Sequence, residues 1–278
     1  MAGVTEARLI AAAAAVATRL DPWGDGPAVR HALAELLVGW VADDRTRRPP
    51  IWPAQLWAAA RRRFDVGHAY TLRPRLIPAR PGLLVFLHGH GPNSSLHLHL
   101  WRDFADRHGF AVVCPSFGYG NWEHPAGVGV VRRALDAAPD HDPARVLLGG
   151  VSQGGAGVVR AAGAMPGRFA GLVLLSPTTE PREVGRLARV WEGKPVYVAQ
   201  GGRDRNVRPG PVLAAVERLR AAGARVTLHL DPAADHGLFL SQRERVRREV
   251  GEWLAGVGAG SPPEARPVHR AGLRPRFY

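Results

Sequence analysis

Residues Arg145-Val146-Leu147-Leu148-Gly149-Gly150-Val151-Ser152-Gln153-Gly154-Gly155-Ala156 are the most informative stretch of this 278-residue chain. The run ending at Val151 is apolar without alternation, as expected of a strand buried on both faces. The small residues from Gly154 to Ala164 read as a helix. Between the two, Gly150-Val151-Ser152-Gln153-Gly154 has to turn sharply. A tight strand-to-helix turn crowds the backbone, so the positions flanking the serine need residues without side chains. The serine hydroxyl is then thrust out at the carboxyl end of the sheet. In a chain with 33 glycines the pattern Gly-x-Ser-x-Gly means little alone; the strand before it and the helix after it single out Ser152 as a nucleophile.

Working outward, further apolar strands are expected at residues 69–76, 83–88, 111–115, 171–176, 195–200 and 225–230. Helices are expected at 98–108, 127–138, 154–164, 211–222 and 241–254. Such alternation predicts an α/β fold with a mostly parallel central sheet covered by helices on both faces. Residues 1–66 lack strand signals and read as three helices, at 5–20, 27–41 and 53–64. The domain reading is therefore a helical N-terminal extension (1–66), a catalytic α/β domain (67–256) and a tail (257–278). The tail carries Gly, Pro and Arg without periodicity and is expected to be flexible or draped over the surface.

The turn resembles the nucleophile elbow of α/β hydrolases, in which an Asp or Glu and then a His follow the serine along the chain. A serine hydroxyl needs a base. Of the twelve histidines, His236 in Asp231-Pro232-Ala233-Ala234-Asp235-His236-Gly237 occupies the loop after the last strand. Asp204, in Gly201-Gly202-Arg203-Asp204 after strand 195–200, is the acid expected to orient it. Asp231 and Asp235 compete by nearness in sequence, which is not nearness in the site. Two backbone N–H groups should bind the oxyanion, one from Gln153 and one from His88-Gly89-His90-Gly91. In that second stretch His90 is the chosen donor, with Gly91 as its neighbour. His88 is assigned to tying down the loop.

Val151-Ser152-Gln153-Gly154-Gly155-Ala156 resembles the serine motif of the carboxylesterase, lysophospholipase and acyl-protein thioesterase family of α/β hydrolases. Asp204-Arg205-Asn206-Val207-Arg208-Pro209 is similar to that family's acid loop, with one residue more before the proline. Gln200-Gly201 stands where the family often has His-Gly, and Asp235 precedes His236 where Gly is common. Leu87-His88-Gly89-His90-Gly91-Pro92-Asn93-Ser94-Ser95 is also similar to secreted polyester and feruloyl esterases and to prolyl-oligopeptidase-type hydrolases. The likeness spans roughly residues 80–255. It implies a serine hydrolase working through an acyl-enzyme without fixing the bond cleaved, and a small-molecule carboxylic ester is the expected substrate. A peptidase, a thioesterase tailoring a natural product, and a non-catalytic scaffold are the alternatives.

Tyr119 and Trp122, in a Gly-rich loop after strand 111–115, are candidates for a substrate wall or for packing beneath that loop. His97 and His99 could ligate a metal only from an extended segment, and a helix start is the expectation, so no metal and no cofactor is assigned. Trp52 and Trp57 in the extension could form a lid, pack on the body, or line a homodimer interface.

The formal charge of +13 comes almost wholly from arginine, Lys194 being the only lysine. The arginines are scattered. Arg45-Arg47-Arg48 and Arg61-Arg62-Arg63 are short clusters without interleaved aromatics, so no nucleic-acid partner is expected. No uncharged apolar run reaches the roughly 18 residues of a membrane span. The Ala-rich run Leu9 to Ala17 is flanked by Glu6, Arg19 and Asp21, unlike a secretory leader. Cys114 is the only cysteine and can form no disulfide within the chain. The expected location is the cytoplasm.

Overall fold

The computed structural model describes residues 27–46, 61, 64–76, 78–90 and 94–257. Of the three helices expected in the extension, α1 (Pro27–Val41) has the boundaries read from the sequence. The segments 5–20 and 53–60, Trp52, Trp57 and the tail lie outside the described residues.

The sheet runs β1 (Asp65–Leu72), β3 (Phe110–Phe117), β2 (Gly82–Leu87), β4 (Val146–Val151), β5 (Gly171–Leu175), β6 (Pro195–Gly201), β7 (Arg225–Asp231) in spatial order. Only β1 is antiparallel to its neighbour; every other pair is parallel. Strands β2 to β6 are buried at every position, and the absence of alternation in their sequence follows from being covered twice. The pleat sends Leu83, Val85 and Leu87 into one core and Leu84 and Phe86 into the other.

The first core lies under α3 (Ala126–Asp136), α4 (Gly154–Ala164) and α7 (Pro209–Ala221), with Val184 and Trp191 from two short helices, α5 (Pro181–Arg186) and α6 (Ala188–Trp191). The second lies under α2 (Ser94–His108) and α9 (Arg243–Val257), with Leu238 of the short α8 (Leu238–Ser241) and Leu36 of α1. Chain order reverses about β2, because the chain goes out to β3 and returns to β4 on the other side. The carboxyl ends of β2 and β4 are thus neighbours at a switch point, where open α/β sheets leave a crevice.

Several expectations shift. Strand 69–76 forms instead as Asp65–Leu72, its register broken between Asp65 and Ala69; Gly67 sits there at φ 68°. The expected 241–254 helix divides into α8 and α9 at Gln242. Helix α2 starts at Ser94 rather than Leu98. Helices α5 and α6 escaped the sequence reading because they are too short to show a period; Pro181 at a helix start was their one signal.

The turn after β4 is where the backbone is most crowded. A Cβ on Gly150 would lie 2.6 Å from the Gly154 carbonyl, and one on Gly154 would run into the Leu87 carbonyl oxygen at the end of β2. Backbone cannot yield as a side-chain tip can. Gly154→Ala is therefore expected to lower stability by about 3 kcal/mol, read as the change in denaturant midpoint. A shift below about 0.5 kcal/mol would show that the turn relaxes freely.

Candidate active site

Ser152 follows the last residue of β4 and holds φ 52°, a left-handed conformation that costs a non-glycine residue free energy. The surroundings hold it there. Its N–H donates to the Leu175 carbonyl (3.0 Å), and its own carbonyl accepts from Gly155 (2.9 Å) and Thr178 (2.8 Å). The hydroxyl lies 3.1 Å from His236 Nε2, and His236 Nδ1 lies 2.8 Å from Asp204 Oδ2. A carboxylate can only accept, so Nδ1 carries the proton and Nε2 presents its lone pair to the serine.

Asp204 is wholly shielded at its side chain and fully occupied. Oδ1 accepts from the Asn206 (2.9 Å) and Val207 (2.8 Å) amides, and Oδ2 accepts from Gln200 Nε2 (3.2 Å) as well as from His236. Gln200 also donates to the Gly201 and Val207 carbonyls. The His236 Nδ1 bond goes to Asp204, not to Asp231 or Asp235. Asp231 accepts from the Ala233 and Ala234 amides and from Gln242 (2.7 Å). Burial by itself would raise its pKa, but these hydrogen bonds outweigh it and lower the value. Asp235 caps Gly237 N at 3.0 Å. Both carboxylates shape the histidine loop, which is pinned beside the acid loop by Arg203 N to Ala234 O (2.9 Å) and Gly202 N to Asp231 O (2.7 Å).

Gly89, His90 and Gln153 line the same cavity as Ser152; Gly91 lies outside the described residues. His88 is buried with both ring nitrogens used. Nε2 accepts the Phe117 amide (3.1 Å), so Nδ1 donates to Gly89 O (2.7 Å). The Gln153 amide fits with its nitrogen towards the carbonyls of Tyr119 (3.3 Å) and Gly120 (3.1 Å). Gly120, at φ 100°, leaves no room there for a Cβ, which would press on Gln153 and on the Gly89 carbonyl.

The substrate-wall expectation fails for Trp122. It is 1% exposed, donates from Nε1 to His88 O at 2.9 Å and packs on His88 and Phe117. Gly157 of α4 makes room for the indole, so Trp122 supports the loop from behind. Tyr119 is half-buried beside His90, ring centroids 6.4 Å apart, outside the residues that line the cavity.

That cavity, of about 640 Å³, has walls the sequence did not disclose: Leu33 and Leu36 of α1, Leu96, His97 and Leu100 of α2, and Phe239 and Leu240 at α8. The apolar pattern of α1 was visible; its placement over the site was not. Helix α1 is held at its C-terminal end by Asp43, whose carboxylate meets Thr46 Oγ1 (2.7 Å), His99 Nδ1 (2.9 Å) and Arg102 (2.9 Å). Burial acts to raise the Asp43 pKa, yet these partners pull it well below the usual carboxylate range. Arg45 adds a two-pronged pair to Asp106 at 2.8 and 3.0 Å.

His97 and His99, expected at a helix start, lie in the first turns of α2, where they are largely buried and face different ways. His99 faces Asp43 and Thr46, while His97 faces the cavity and packs on Phe86.

The fold has counterparts among solved structures. A thermostable esterase superposes with a TM-score of 0.54 at 23% identity, over 68% of this chain and 58% of that one. The fold is that of the α/β hydrolases. An S-formylglutathione hydrolase from Agrobacterium tumefaciens (TM-score 0.55, 17% identity, 68% of this chain and 90% of that one) shares it. So does acyl-protein thioesterase 2 from Zea mays (0.53, 17%, 68% and 99%). The match spans little more than half of the thermostable esterase. No family model matches the sequence, and no curated protein does either. Among the described residues no helix is long and apolar enough to cross a membrane.

Burial and the nearby His88 push the His97 pKa down to about 3. An unfolded histidine titrates near 6.5, so below that pH the unfolded chain takes up a proton that the folded one refuses. Stability supplied by the neutral ring is complete above about pH 6.5 and is lost as pH falls towards 3. From pH 7 to 5, His97→Leu should lose less stability than the parent by up to about 2 kcal/mol, measured by urea unfolding at both pH values. Equal losses would place the ring in a wetter setting.

Proposed function

We propose that this chain is a serine hydrolase that cleaves a carboxylic ester through an acyl-enzyme on Ser152. The observation that carries the reading is the hydrogen-bonded line from Ser152 through His236 to Asp204, at 3.1 and 2.8 Å, opening into an apolar cavity. His236 takes the hydroxyl proton as Ser152 Oγ attacks the ester carbonyl, and the resulting imidazolium is stabilised by Asp204. The Gln153 and His90 amides receive the oxyanion. His236 then protonates the leaving alcohol; a water, deprotonated by the same imidazole, attacks the acyl carbonyl and frees Ser152.

The substrate reading rests on the wall. Leucines and Phe239 suit an alkyl or aryl chain. Helix α1 supplies part of that wall through Leu33 and Leu36, which supports a role for the N-terminal extension in covering the site.

A fluorophosphonate probe is expected to label Ser152, found by peptide mass spectrometry, and the chain is expected to turn over p-nitrophenyl esters. Ser152→Ala and His236→Ala should each lower kcat by about a thousandfold or more, with Asp204→Asn somewhat less affected. No labelling of folded protein would favour a non-catalytic scaffold, and turnover confined to thioesters or peptides would move the substrate class. In the oxyanion loop, a Cβ on Gly89 would meet Ser152 Cβ at 3.1 Å and Val151 O at 3.2 Å. Gly89→Val is expected to cut kcat about a hundredfold, and an unaltered kcat would put the second donor in another loop.

A further inference from the structure

His97 is a buried histidine that the fold does not use. Its counterparts are bonded: His88 holds the Phe117 amide and the Gly89 carbonyl, and His99 holds Asp43 and Thr46. His97 is 8% exposed and its Nδ1 is shut off from solvent with no hydrogen-bond partner. Burying an unmatched polar atom costs free energy that a leucine on Phe86 would not. The ring rests against Phe86, centroids 5.2 Å apart, and the residue forms part of the cavity wall that also holds Ser152 and His236. The same wall holds Leu33, Leu36, Leu100, Phe239 and Leu240, with Gln153, Thr178 and Asn206 as further polar members. A polar ring set among leucines and Phe239 in a pocket wall is what a site selective for a polar substituent requires.

We propose that His97 is a specificity-determining residue, whose imidazole hydrogen-bonds a hydroxyl or carbonyl oxygen carried part-way along the ester chain that fills the cavity. Nδ1 is closed off, so Nε2 is the ring nitrogen left to a ligand: it donates to a carbonyl when it carries the proton and accepts from a hydroxyl when Nδ1 does. Among the described lining residues there is no lysine or arginine, so a carboxylate at that depth lacks a counter-charge from them. The substrate class is therefore a neutral hydroxy- or keto-substituted ester that meets Nε2, and a plain alkyl ester leaves Nε2 without a partner. This inference rests on the ester-hydrolase reading.

The test compares kcat/KM for matched esters of equal chain length, plain and carrying a hydroxyl or keto group stepped along the chain. The wild-type protein is expected to prefer one substituted ester about tenfold, mainly through KM. In His97→Leu the ratio should fall to about one, and His97→Gln, which keeps a donor and an acceptor, should restore part of it. The Leu variant should also melt at a higher temperature, since the unmatched nitrogen is gone, which reports that it folds. The same preference in wild type and His97→Leu would overturn the proposal. Absence of any ester turnover and of Ser152 labelling would instead sink the hydrolase reading. In that case calorimetric binding of plain and hydroxylated alkanols to the Ser152→Ala protein decides for His97. A preference for the hydroxylated chain that His97→Leu removes supports it, and equal binding by both proteins overturns it.

Discussion

The close approach of two backbones, at the end of β2 and in the turn after β4, is the constraint on which the rest of the site depends. Leu87 and Gly150 are partners across the parallel pair, and Gly154 opens helix α4 hard against the Leu87 carbonyl. With no side chain at either glycine, the helix can start immediately beyond the strand. Ser152 is then left at the apex in a conformation it would not choose alone. The cost is met by hydrogen bonds to β5 and the segment after it, through Leu175 and Thr178. The same approach brings the Gly89-His90 loop alongside the serine, because that loop is the direct continuation of β2.

A second arrangement sets the imidazole. Asp204 and His236 are carried on successive strand ends, β6 and β7, and the loops beyond them are joined backbone to backbone. Asp204 receives two amides, the Gln200 side chain and His236, so its orientation is decided before any substrate arrives. Asp231 spends its acceptors on its own loop and on Gln242. Sharing one sequence segment with His236 therefore leaves it no part in orienting the ring.

The pocket belongs to a different layer. Strand ends supply the reacting groups, while α1, α2 and α8 supply the walls. Helix α1 reaches this position because Leu36 is drawn into the core of α2 and α9 and because Asp43 and Arg45 fasten its end to α2. Arginines that looked like a loose basic cluster in the sequence include one, Arg45, that serves as an internal tether. The result is a chamber whose leucine-rich wall carries, at His97, a ring nitrogen without a partner.

Local chemistry made much of this legible in the sequence. Uninterrupted apolar runs marked β2 to β6, because burial on both faces removes alternation. The glycines about Ser152 marked the turn because few other residues fit it, and the order of Ser152, Asp204 and His236 reflects the order of strand ends in the sheet. What the tertiary structure alone decided are contacts between segments distant in sequence. Trp122 turned inward because Gly157 left a space behind His88. His97 and His99, two residues apart, parted to a cavity and to a carboxylate. Leu33 and Leu36 became walls of a site more than a hundred residues further along the chain. The physical reason is that strand burial and turn geometry are imposed by neighbours along the chain, whereas a cavity is defined by whichever surfaces packing brings opposite one another.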